Sequence, residues 1–285
     1  MEGRTKVGIF WKRLLLLVYS LVLLVVFVYM RFPYDSIKTR IEDYMSSFTG
    51  RQVEIETVKP CLIPGLVLKD VSLDKKPLFD NLLLRPSPVY LLHGNLALGI
   101  KAWSKTGCIK GDIQIPVKKV TKYLKVDLEI ENLDVSEFSR FLDKAGKLEG
   151  KIDGSISMKG TRAQFYKASG NAHLVVNGLG IPVVMPMIPL ETLRLRHGTI
   201  DVHMAKGTLV IDRCVFSGPD VSGSLSGQLR LSRYISRSRL SVTGNIKFAP
   251  QILARLPLKA YLRDGRLKFT LTGTLKYPRY RIITG

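Results

Sequence analysis

Between Lys147 and Gly160 the chain reads KLEGKIDGSISMKG. Its even positions from 148 to 158 are Leu, Gly, Ile, Gly, Ile and Met, and the odd positions around them are all polar. A period of two places successive side chains on opposite faces of an extended strand, so this is a strand with one dry and one wet face. Its glycines fall on the dry side. The same order returns along the chain. Leu124, Val126, Leu128 and Ile130 alternate with charged residues, and Val221, Gly223, Leu225, Gly227, Leu229 and Leu231 alternate with Ser, Gln and Arg. Leu240, Val242, Gly244, Ile246 and Phe248 repeat it, as do Leu267, Phe269, Leu271, Gly273, Leu275 and Tyr277. Weaker versions lie near Val53, Leu96, Ile109, Leu174, Ile200 and Leu209. Roughly a dozen strands of about 6 to 12 residues follow, longer than the usual strand.

Helical signals are few. Asp35 as a cap, the spacing of Ile37, Ile41, Tyr44, Met45 and Phe48, and Gly50 predict one amphipathic helix. Asp134, Glu137 and the apolar positions Val135, Phe138, Phe141, Leu142 and Ala145 predict a second, and a short third follows Pro250, burying Ile252, Leu253 and Leu256. Three short helices cannot cover the dry face of a dozen strands. The sheet therefore either closes on itself as a sandwich or barrel, or curls into a trough whose lining meets something else. Gly150, Gly154, Gly223, Gly227, Gly244 and Gly273 favour the trough, because glycine on the apolar side lets a strand bend or a backbone approach closely. The expected lining is Ile152, Ile156, Leu225, Leu229, Val242, Ile246, Phe269 and Leu271.

The first 35 residues address the compartment. Leu14 to Met30 is 17 residues without a charge, which as a helix spans roughly 26 Å, the lower end of a bilayer crossing. No small-x-small cleavage site follows it, so an uncleaved anchor at 14–30 is expected rather than a signal peptide. Arg4, Lys6, Lys12 and Arg13 against Glu2 keep residues 1–13 in the cytoplasm and send residues 34–285 across the membrane. The net charge is +21, and residues 151–285 alone hold 21 Lys and Arg against 6 Asp and Glu. Outside the cytoplasm such a field suits anionic lipid or an acidic protein face and leaves nucleic acid aside. Arg230, Arg239, Lys247, Arg266, Lys268 and Lys276 form the expected basic face. Cys61, Cys108 and Cys214 are widely spaced and odd in number, and read as isolated buried thiols.

No catalytic constellation stands out. Gly178 and Gly180 lack the third glycine and following helix of a dinucleotide fingerprint, and no phosphate loop is present. His197, Asp201 and His203 share parity, but no further ligand accompanies them, so they read as the wet face of a strand. His93 and His173 are lone polar residues. The apolar IPVVMPMIPL, with Pro182, Pro186 and Pro189, is no central strand, because its prolines remove ladder donors; it reads as a buried crossing loop, or as a flap over the trough or a contact with membrane.

Taken together, the anchor, FPYDSIKTRIEDYMSSFTGRQVEIETV with its helix ending in TG, the segment PGLVLKDVSL and the closing LTGTLKYPRY resemble the AsmA-like superfamily of envelope proteins. Within it, VSEFSRFLDKAGKLEGKIDGSISMKG and IPLETLRLRHGTIDVHMAKGTLVIDRCVFSGPDVSGSLSGQLRL resemble the type II secretion system protein N family, over about residues 31 to 280. The resemblance implies a mainly β fold, a long curved antiparallel sheet behind a transmembrane helix. It implies a non-enzymatic protein without cofactor or metal, anchored in the inner membrane with its main domain in the periplasm, whose partners are other secretion subunits. The superfamily also implies an alternative, the binding or transfer of phospholipid or another anionic envelope lipid.

Overall fold

The computed structural model describes residues 15–20, 23, 24, 27, 31, 34–49, 51–61, 65–87, 90, 95–116, 124–139, 148–161, 167–182, 192–232, 237–253 and 265–283. After helix α1 (Tyr34–Thr49) come β1 (Val53–Pro60), β2 (Leu66–Leu73), β3 (Lys76–Ser87), β4 (Asn95–Trp103), β5 (Cys108–Pro116) and β6 (Leu124–Asp134). A single turn, α2 (Ser136–Ser139), leads to β7 (Glu149–Gly160), β8 (Ser169–Pro182), β9 (Thr192–Ala205), β10 (Thr208–Ser217), β11 (Val221–Arg230) and β12 (Arg239–Phe248). The turn α3 (Pro250–Leu253) precedes β13 (Arg266–Thr274) and β14 (Pro278–Ile282).

All fourteen strands join one antiparallel sheet in sequence order, β1 to β14, and the two end strands do not pair with each other. The protein is thus mainly β with an open sheet. Every connection is a return to the neighbouring strand, so the connections alternate between two rims. The first rim carries the loops β1–β2, β3–β4 and so on to β13–β14; the second carries the remainder together with α2 and α3.

Burial is concentrated at the two flanks. At one, Ile41 and Met45 of α1 pack with a cluster of Val53, Ile55, Leu68, Val71, Leu82 and Ala102 from β1 to β4. Leu68 and Val71 are fully buried, each contributing about 1.5–3 kcal/mol of apolar burial. At the other, Ile252 of α3 packs with Leu195, Val221, Phe248 and Leu267. Bending is visible at β10: Cα atoms of β9 and β11 approach within 8 Å, closer than the roughly 9.6 Å of two flat inter-strand spacings. The register of β10 also shifts there, between Ile211 and Cys214 against β11.

The helix boundaries shift from expectation. Asp35 lies in the first turn of α1 rather than capping it, and Tyr44 is 51% exposed rather than on the buried face. Asp134 does cap α2, accepting from the Ser136 amide at 2.8 Å; residues 140–147 lie outside the described residues, as do 183–191 of the proline-rich segment and 254–264 after α3. Of the expected anchor, residues 15–20, 23, 24 and 27 are described, helical and exposed. No helix among the described residues is long and apolar enough to cross a membrane.

Candidate functional site

The registers place one continuous apolar row across the whole sheet. Leu68 faces Leu82, Ala102 faces Ile109, Ile130 faces Gly154, Leu174 faces Ile200, Cys214 faces Leu225 and Gly244 faces Phe269. Each pair is itself in register with the next, and Val58 and Ile282 close the row at the two edges. A second row runs parallel to it through Ile100, Leu128, Ile156, Val202, Val242 and Leu271. No polar side chain interrupts either row. Among the described residues, α1 and α3 pack at the flanks of this face and no helix packs at its middle. Leu128, Ile130, Ile152, Ile156, Leu174, Ile200 and Val202 are all only half-buried.

The expected lining falls on this face. Val242 is 9% exposed, while Ile152, Ile156, Leu225, Leu229, Ile246, Phe269 and Leu271 are half-buried. The six glycines divide into two kinds. Gly150, Gly154, Gly227 and Gly273 have positive φ, between 102° and 154°, a backbone that side-chain-bearing residues rarely adopt. At Gly227 an added Cβ would lie 2.3 Å from the Ser241 carbonyl oxygen. Gly223 and Gly244 instead receive a neighbour's ring. A Cβ at Gly244 would sit 2.3 Å from Phe269 and 2.9 Å from Leu225, and one at Gly223 would sit 2.4 Å from the Asn245 carbonyl oxygen and 3.0 Å from the Phe216 ring. These two are seats for large side chains on the adjacent strand, a role that one strand's sequence cannot reveal because it depends on register.

The opposite face is polar. His173 pairs with Asp201, His203 with Asp212 at 2.7 Å, and His197 with Asn177 at 2.9 Å. His197, Asp201 and His203 do share one face, yet each is engaged in its own cross-strand pair, and no group of three or more candidate metal ligands exists among the described residues. Elsewhere on this face, the Lys110 ammonium lies 2.5 Å from Glu131 and holds that carboxyl below its usual range. Asp127 is likewise held low, chiefly by a hydrogen bond from Lys125 and further by one from the Ser157 hydroxyl at 2.7 Å. No disulfide joins the three cysteines. Cys214 is buried, which pushes its thiol pKa up, whereas Cys61 and Cys108 are half-buried rather than buried.

The six basic residues are all exposed but do not form a single patch. Arg230 and Arg239 face each other at the first rim, beside Lys276 in the β13–β14 turn. Lys247 and Arg266 face each other at the second rim, with Lys268 two residues farther along β13. Like charges directly opposite are destabilising in a sheet.

No protein-family model matches the chain, and no curated protein or solved structure is significantly similar to it. The apolar face therefore has to be interpreted on its own chemistry. Among the described residues, apart from the buried Cys214 thiol, its two rows present aliphatic and aromatic surface.

One edge of the site is closed and the other is open. The Ser46 hydroxyl accepts from the Val53 amide at 2.9 Å, the Glu42 carboxylate accepts from the Ile55 amide at 2.7 Å, and Lys38 donates to the Glu56 carbonyl at 3.1 Å. Helix α1 thereby occupies the hydrogen-bonding edge of β1. In β14 the Ile283 amide turns inward to Lys268, so alternation turns the peptide groups of Tyr280 and Ile282 outward.

Proposed function

We propose that the chain is a non-enzymatic component of the type II protein secretion system. It is anchored in the inner membrane by residues 14–30, with its N-terminus cytoplasmic and residues 34–285 in the periplasm. Its work is done by surface rather than by chemistry: the uncovered middle of the apolar face is where it takes up another hydrophobic partner. That uncovered row is the observation that carries the reading, since burying it would return apolar surface from water at about 25 cal/mol per Å². The resemblance to the type II secretion system protein N family supplies the assembly. The test is a deletion strain scored for folded exoproteins in the medium. Secretion should fall and the exoproteins should collect in the periplasm; unchanged secretion would overturn the proposal. Protease added outside spheroplasts should cleave beyond Arg31, and its failure to do so would overturn the topology.

A second reading is phospholipid binding or transfer, as in the AsmA-like superfamily. The half-buried aliphatic residues of β6 to β9 favour it, because an extended apolar strip with little polar interruption suits acyl chains. Full-length protein in mild detergent, analysed by native mass spectrometry after lipid exchange, separates the two. Stoichiometric phospholipid favours the second reading; a lipid-free chain that retains secretion subunits favours the first.

A further inference from the structure

The two rims differ in charge to a degree that the fold does not require. Among the described residues, the connections of the first rim contain no Asp or Glu, whereas those of the second hold Asp74, Glu137 and Asp220. Among the described residues, Lys167, Lys206, Arg230, Arg237, Arg239 and Lys276 all stand exposed at the first rim or the strand ends beside it. Among the described residues, the connections of the first rim also carry Tyr90 and Tyr277, and those of the second carry no tyrosine. Tyr277 is 68% exposed, with Lys276 over its ring and Leu275 40% exposed beside it.

Tyrosine with Lys and Arg, and no acid, is the composition of protein surface that sits at lipid headgroups. The ring has an apolar body and a polar tip, and the cations meet anionic lipid. The rim is also tied together. The Leu231 amide donates to the Gly207 carbonyl at 2.8 Å, the Leu275 amide donates to the Ser238 carbonyl at 3.0 Å, and Ser238 is fully buried. Three adjacent connections thus form one ledge.

The direction of α1 supplies an independent observation. Ser46 lies at Val53, Glu42 at Ile55 and Lys38 at Glu56, so α1 runs antiparallel to β1, and its beginning at Tyr34 points toward the first rim.

We infer that the first rim docks on an anionic phospholipid leaflet, the one that residues 14–30 enter, so that the strands stand away from the membrane and the apolar face opens onto it. The orientation rests on the anchor proposed above; the affinity of the rim for anionic lipid does not. The test is amide exchange on the full chain in nanodiscs of phosphatidylcholine, with and without about one third phosphatidylglycerol. Exchange at 205–208 and 274–280 should slow by about tenfold with the anionic lipid, and the protection should vanish at high ionic strength. It should also vanish in a Lys206→Gln, Arg230→Gln, Arg239→Gln, Lys276→Gln variant whose β2 and β9 amides remain protected. Equal exchange in both lipids, or equal slowing at 218–220 on the second rim, would overturn the inference. So would protection by poly-glutamate without protection by anionic lipid. A chain that enters both discs with an unprotected rim leaves the anchor standing and the rim refuted. One that binds anionic vesicles but fails to insert into neutral discs does the reverse, and one that binds neither refutes both.

Discussion

At Gly244 the missing side chain does two jobs: it keeps the apolar face free of a protruding methyl, and it leaves room for the Phe269 ring from β13 and the Leu225 methyl from β11. Gly244→Ala should therefore cost about 1–3 kcal/mol through overpacking, read as a lowered urea midpoint. Pairing it with Phe269→Leu should recover part of that loss, whereas a backbone-strain explanation predicts no recovery. Asp127 shows how pH acts on the polar face. Its carboxyl is held below the ordinary range first by Lys125 and then by Ser157, with partial burial opposing. A lowered carboxylate pKa stabilises above the unfolded value of about 3.9 and is lost as pH falls through the folded value. Because the pair is more than a third exposed, the effect is small, below about 1 kcal/mol. Asp127→Asn should therefore lower stability at neutral pH by up to that amount, leave stability in acid nearly unchanged, and flatten the acid limb of the profile correspondingly.

At the scale of the element, alternation made β6, β7, β11, β12 and β13 legible, because each keeps one wet face. Strand β3 was not: Leu82, Leu83 and Leu84 are consecutive, and Leu82 and Leu83 are both 8% exposed, so both faces are buried there and the period disappears. Strand β14 was hidden differently, as it opens on Pro278 and sets Arg beside Tyr. In the candidate site the expected lining was readable from parity, but the division of glycines into bent and seat positions needed the register. The wet side of α1 also misled, because Glu42 and Ser46 look like solvent-facing residues in sequence yet satisfy backbone amides of β1. Replacing both by Ala should leave those amides unpaired, at about 1 kcal/mol each, and free the edge for pairing with another copy. Sedimentation velocity should then show dimers or longer assemblies; a strictly monomeric, equally stable variant would refute the capping role.

Across the described residues, an open sheet of fourteen strands carries a hydrophobic cluster at each flank and a half-buried apolar face between them. A closed barrel would have removed both edges and filled the interior with side chains. This protein instead closes one edge with a helix, leaves the other as a short strand with Pro and Arg, and maintains apolar residues in register from Val58 to Ile282. At strands β6 to β9 that row is half-buried among the described residues. Its proposed purpose is to meet an apolar partner in the envelope. The most direct measurement is photo-crosslinking in cells, with a photoreactive residue at Ile156 or Leu174 on the apolar face and at Ser155 or Ser157 on the polar face of the same region. Adducts with a secretion subunit or with lipid should form from Ile156 and Leu174 and not from the serines. Equal labelling from both faces, or none from the apolar face, would contradict the claim that this face is occupied.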